Sequence, residues 1–271
     1  MKEGVKRLTL AYLVFMLLFM LSGALDGAIS DIVYVLSFVA PVLLVILTDK
    51  SGRARSIAPM LKPTRQGVIT VALTLAPSVI LIALVSLLTS YIIFVSTGKT
   101  DSVEIGDSFL MAVLSFALVP AVTEELLFRY LPLAVLGERN KRVTVILSSL
   151  IFALAHFSPF QLVYAFIAGV VFMSVDIVTD SIFPSLILHF INNLLSVIYI
   201  MYWHTPGGKI GLIVTVSLLL CLSIAVFVKV KGKLKGRIKD VFSASEPYGL
   251  DPVPLFFIIP AALLGASVLI G

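Results

Sequence analysis

The chain has 271 residues, 59% of them hydrophobic and only 13% charged, with a mean hydropathy of +1.12. A soluble domain needs about 25% charged residues to cover its surface, so a water-soluble globule is excluded and an integral membrane protein implied. The net charge of +5 does not point to nucleic acid, because the basic residues gather between apolar runs, as in cytoplasmic membrane loops.

A helix needs about 20 apolar residues to cross the hydrocarbon core. In chain order the apolar runs predict spans near 8–25, 31–48, 68–96, 108–136, 143–157, 160–179, 182–203 and 209–228. A ninth run, 253–270, is long enough to cross but is interrupted by Pro260 and Gly265. The expected fold is therefore all-α, a single polytopic transmembrane bundle over residues 1–271 with eight spans and a candidate ninth. The first run also has the outline of a signal peptide, with Ser22-Gly23-Ala24 at its end, but an uncleaved first span fits the topology equally well.

Charge in the loops sets orientation. Residues 49–65 hold Lys50, Arg53, Arg55, Lys62 and Arg65, and residues 138–142 hold Arg139, Lys141 and Arg142. Residues 229–251 read as a basic cytoplasmic loop that opens with Lys229, Lys231, Lys233, Lys235, Arg237 and Lys239. The intervening loops are poor in base: 23–30 has none, and 97–107 has Lys99 alone beside Asp101, Glu104 and Asp107. This alternation places the amino terminus, with Lys2, Lys6 and Arg7, in the cytoplasm.

Against that apolar background, Thr123–Tyr130 (TEELLFRY) puts Glu124, Glu125 and Arg129 in one span. A charge at the bilayer centre costs roughly 3 kcal/mol on insertion scales, so each needs a partner or a task. Glu125 and Arg129 are spaced i, i+4 with the acid first, the favourable order for a pair on one helix face. Glu124 lies about 100° around the helix, with no cation near it in sequence. Pro120 removes a backbone donor just before the acids and should bend the span. Bent spans are tolerated where they contact protein or line a cavity.

Three further polar residues lie in or near spans. His156 ends a run just before Ser158-Pro159, and His189 and Asn193 are spaced i, i+4 on one face. At about 1.5 Å per residue, measured from the cytoplasmic ends, Glu124 and His156 both lie about 21 Å deep. The same rise puts Asn193 about 20 Å and His189 about 14 Å deep, which permits them to converge. His204, beside Tyr202 and Trp203, fits an interfacial belt and is given no role. Asp176 and Asp180 sit at a helix end and read as solvated; Cys221 reads as a core residue, and one cysteine excludes an internal disulfide.

These residues exclude several hydrolytic chemistries. There is no glycine-flanked serine turn, neither membrane histidine is followed by Glu as an HExxH zinc site requires, and no pair of Asp lies within the membrane. What remains is a carboxylate that activates water, since a carboxylate held away from bulk solvent is a stronger base. One histidine would share its proton, and a second with an asparagine would donate to an oxyanion.

Glu124-Glu125-x-x-x-Arg129, Phe152-x-x-x-His156 and His189-x-x-x-Asn193, in that order, resemble the three signature motifs of the CPBP/ABI family of intramembrane proteases, which includes the type II CAAX prenyl endopeptidases. The resemblance covers about 108–203, the expected catalytic core. It implies a helical fold around a conical cavity, with Glu124 and His156 activating water, His189 and Asn193 forming the oxyanion hole, and Glu125 and Arg129 structural. It further implies a prenylated CAAX protein or peptide as substrate, cleaved after the modified cysteine to release a tripeptide, and no cofactor. Two alternatives stand beside it. Glu124, His156 and His189 have the composition of a catalytic zinc site, and intramembrane Glu and His also build the proton relays of transporters or serve a non-enzymatic scaffold.

Overall fold

A computed structural model of the chain describes residues 2–49, 60–100, 105–106, 108–136 and 141–241. Eight helices account for nearly all of it: α1 (Lys2–Gly23), α2 (Gly27–Thr48), α3 (Arg65–Thr97), α4 (Phe109–Leu136), α5 (Lys141–Leu154), α6 (Pro159–Thr179), α7 (Phe183–Tyr202) and α8 (Pro206–Val241). No strand occurs among the described residues. The fold is an all-helical bundle, as the apolar runs predict.

Seven of these helices are long and apolar enough to cross a membrane. The fifth expected span, 143–157, is α5 with 14 residues, which at 1.5 Å per residue falls short of a bilayer core of about 30 Å. The basic stretch expected as a loop from 229 onward differs too. Its first part continues α8 as helix to Val241, because nothing in the sequence breaks the helix where the apolar run ends. The candidate ninth span at 253–270 lies outside the described residues.

Helices α1 and α2 form an antiparallel hairpin, with Phe15 on Phe38 at 5.0 Å, Phe19 on Tyr34 at 5.9 Å, and Arg7 bonded to Asp49 at 3.0 Å. These rings continue into α4 through Phe128, which stacks with Tyr12 at 6.0 Å. Helices α5 and α6 cross closely. A Cβ at Gly169 would lie 2.8 Å from Ser149 Cβ and 2.9 Å from its Cα, so only glycine permits this approach, as at small-residue contacts in membranes generally. Alanines at 117 and 121 of α4 are both fully buried, and α7 packs along this part of α4. The turn from α6 to α7 is tied to the segment before α3: Ser181 Oγ donates to the Met60 carbonyl at 2.8 Å, and Ile182 N–H to the same oxygen at 2.8 Å. Helix α8 lies outermost, with Ser223 Oγ donating to the Ala72 carbonyl of α3 at 2.8 Å and Cys221 exposed, not in the core.

Helix α4 is irregular where the sequence predicts a bend. It contains two wide π-type turns, Leu114–Leu118 and Leu126–Tyr130. The first ends two residues before Pro120, and Val119 N–H reaches back to the Leu114 carbonyl, so the helix passes through the proline without ending. The second follows Glu125 directly. Freed carbonyls in a membrane must find other donors, and the Ser148 hydroxyl of α5 donates to the Phe128 carbonyl.

The α5–α6 crossing yields a first test. Gly169→Val forces its side chain into Ser149 and should lower stability by about 1–3 kcal/mol, the usual cost of overpacking, read as an earlier unfolding transition in detergent.

Candidate active site

The motif residues come from four elements and meet on one side of α4. Glu125 and Arg129 are both fully buried, with Arg129 Nε 3.5 Å from Glu125 Oε2. The remaining charge of the guanidinium rests on aromatic faces: its carbon lies 4.4 Å from the Phe152 ring centre and 5.9 Å from that of Phe172. Cation–π contacts out of water contribute about 2 kcal/mol. Glu125 turns its other oxygen to α7, where Oε1 lies 2.8 Å from His189 Nδ1. The neighbouring residue faces elsewhere, as the 100° helical step requires. Glu124 keeps its side chain 13% exposed and sets Oε2 3.8 Å from His189 Nε2.

The His189 ring is held on both sides. Phe152 meets it edge-on at 5.8 Å and Phe172 lies at 5.5 Å. His156 follows α5 by two residues, where the chain is bent by Phe157 at φ +50°. A bulky residue in the left-handed region is strained, and the Phe157 ring is held against Phe19 of α1 at 5.3 Å. His156 Nδ1 sits 2.8 Å from the Phe152 carbonyl. A carbonyl only accepts, so the ring proton is on Nδ1 and Nε2 is the free nitrogen. Phe152 also meets the His156 ring edge-on at 4.8 Å, and Glu124 is near enough to act on His156 electrostatically. Asn193 is half-buried one turn beyond His189; the Asn192 amide reaches its Oδ1 at 3.5 Å, leaving the Asn193 N–H groups to donate.

Behind the motif residues lies one the sequence misplaces. Asp176 is fully buried, not solvated; its Oδ1 accepts the Ser185 backbone N–H at 3.2 Å, in the first turn of α7. It occupies the role of a helix cap from a neighbouring helix, where a carboxylate meets the positive end of the helix dipole. The Ser185 hydroxyl donates to the Ile182 carbonyl at 2.9 Å, so Asp176 and Ser185 fix the first turn of the helix that carries His189. A polar residue nine positions before Ser185 across a turn is the signal that was available. Asp180, which ends α6 in the left-handed conformation at φ 51°, is exposed as expected. His204 is exposed in the turn before α8 and touches none of this.

Among the described residues no three of His, Cys, Asp and Glu form a group that could hold a metal ion.

A family model described as type II CAAX prenyl endopeptidase Rce1-like matches residues 106–195. The match runs from just before α4 to within α7 and contains every motif residue. No curated protein and no solved structure matches the chain. In this multi-pass membrane protein, similarity to an Rce1-like type II CAAX prenyl endopeptidase domain is thus found at residues 106–195.

Proposed function

We propose that the protein hydrolyses the peptide bond after a prenylated cysteine, releasing a C-terminal tripeptide, with Glu124 as the base. One observation carries the assignment of the base. Of the three carboxylates in the cluster, Glu125 and Asp176 are fully buried and engaged, while the Glu124 side chain is 13% exposed, with Oε2 3.8 Å from His189 Nε2. It is the carboxylate that both water and a peptide can approach.

In this reading Glu124 takes a proton from water as the oxygen attacks the scissile carbonyl. His156, presenting Nε2, accepts a hydrogen bond from the same water and orients it. His189 and Asn193 donate to the oxyanion, and the proton leaves with the departing amine. Glu125 and Arg129 keep the framework rigid. The substrate enters from the cytoplasmic side, the side assigned to the amino terminus, with its isoprenoid in the bilayer. No metal takes part.

The test is incubation of purified protein with a farnesylated CAAX peptide, watching for the tripeptide. Glu124→Ala should abolish release, and turnover equal to that of the unaltered protein would end the proposal. Asn193→Ala should lower kcat by about 10²–10³, the usual effect of losing one oxyanion donor. Chelators should leave the rate unchanged; loss of activity restored by stoichiometric zinc would favour the metal-dependent alternative.

A further inference from the structure

Resting on the reading above, an oxyanion donor at His189 must present an N–H at Nε2, because Nδ1 is turned away toward Glu125 at 2.8 Å. The carboxylate of Glu125 already has Arg129 beside its other oxygen, with Nε at 3.5 Å. An ionised carboxylate only accepts, so the proton between Glu125 and His189 belongs to Nδ1. A neutral ring with its proton there has a bare Nε2. It accepts hydrogen bonds at that nitrogen and donates none. Phe152 and Phe172 pack against the ring at 5.8 and 5.5 Å.

We propose that Glu125 is a positioning residue, which fixes the His189 proton on Nδ1 so that Nε2 is the acceptor for the proton that Glu124 takes from water. The transfer balances. The water oxygen forms a bond to the scissile carbon as its O–H bond breaks toward Glu124, and the carbonyl π pair moves onto oxygen. The Glu124 carboxyl then passes its proton to Nε2, and Glu124 is again a carboxylate. His189, now protonated on both nitrogens, donates its new N–H to the oxyanion. As the carbon–nitrogen bond breaks, that proton goes to the departing amine, and Nε2 is bare for the next cycle. The resting gap of 3.8 Å between Nε2 and Glu124 Oε2 is one that closes on substrate binding or is spanned by one water, as catalytic contacts commonly are before substrate arrives.

The charged and titratable groups facing this ring are Glu124 and Glu125 of α4 and His156 beyond α5. An ion pair that merely joins helices would not set a tautomer. That difference is measurable without substrate. The protein has three histidines, His156, His189 and His204, so ¹⁵N-histidine spectra of the full chain in lipid nanodiscs are assignable by single replacements. Neutral His189 should carry its proton on Nδ1. Glu125→Gln, if its melting temperature matches the unaltered protein, should redistribute that proton and lower kcat by about 10²-fold or more, with KM within about threefold; Glu125→Asp should restore part of both. A neutral His189 protonated on Nε2 in the unaltered protein overturns the proposal, and so does a folded Glu125→Gln with unchanged tautomer and kcat. Where Glu125→Gln fails to fold, the spectrum of the unaltered protein decides. A protein with the expected tautomer that cleaves no prenylated peptide refutes the protease reading and not the assignment of Glu125.

Discussion

The arrangement depends on one buried cation. Arg129 has no exposed surface, and it cannot shed its charge inside a protein. Taking a guanidinium out of water costs several kcal/mol unless its surroundings replace the lost hydration. Its guanidinium nitrogens make no hydrogen bond, so what offsets that cost is the Glu125 carboxylate at 3.5 Å and the faces of Phe152 and Phe172. Each partner is thereby pinned: Glu125 on α4, Phe152 on α5, Phe172 on α6. Three helices are thus oriented by one charge, and α7 is added through His189 on the second oxygen of Glu125.

Phe152 explains why its motif has a phenylalanine four residues before the histidine. The same ring lies under Arg129, meets His156 edge-on and meets His189 edge-on. Its backbone carbonyl takes the His156 Nδ1 proton. An aliphatic residue would fill the space but offers no π face to the guanidinium and no flat edge contact to two imidazoles. The spacing of four is what lets residue 152 hold the ring of residue 156 through its own carbonyl.

Much of this was legible in the sequence, for identifiable reasons. Apolar runs give helices because the bilayer leaves the backbone no other partners, and the i, i+4 rule put Glu125 with Arg129 and away from Glu124. The same local rules failed where the determining contact is distant. Asp176 sits near a helix end and looks solvated, yet α7 covers it through Ser185 N–H. The pairing of Glu125 with His189 across 64 residues has no signature in spacing. The wide turns of α4 are also invisible in sequence, apart from Pro120, and the second receives a hydrogen bond from a hydroxyl of α5 that no local pattern announces. The shortness of α5 went unread because the apolar run 143–157 continues past its last helical residue, Leu154, through Ala155 into the strained bend at Phe157.

The two adjacent glutamates are chemically identical, and only geometry separates their tasks. A step of about 100° around the helix turns one carboxylate into the protein and the other toward the edge of the cluster. The inner one is spent on Arg129 and His189, and so is unavailable to water. The outer one has no cation of its own among its helical neighbours and sets its Oε2 3.8 Å from His189 Nε2. A membrane interior sharpens this division, since low dielectric strengthens each contact made and penalises each one missing. The wide turn that begins right after Glu125 lies where Arg129 must come back to meet it, so the backbone irregularity of α4 falls within the pair that holds the cluster together.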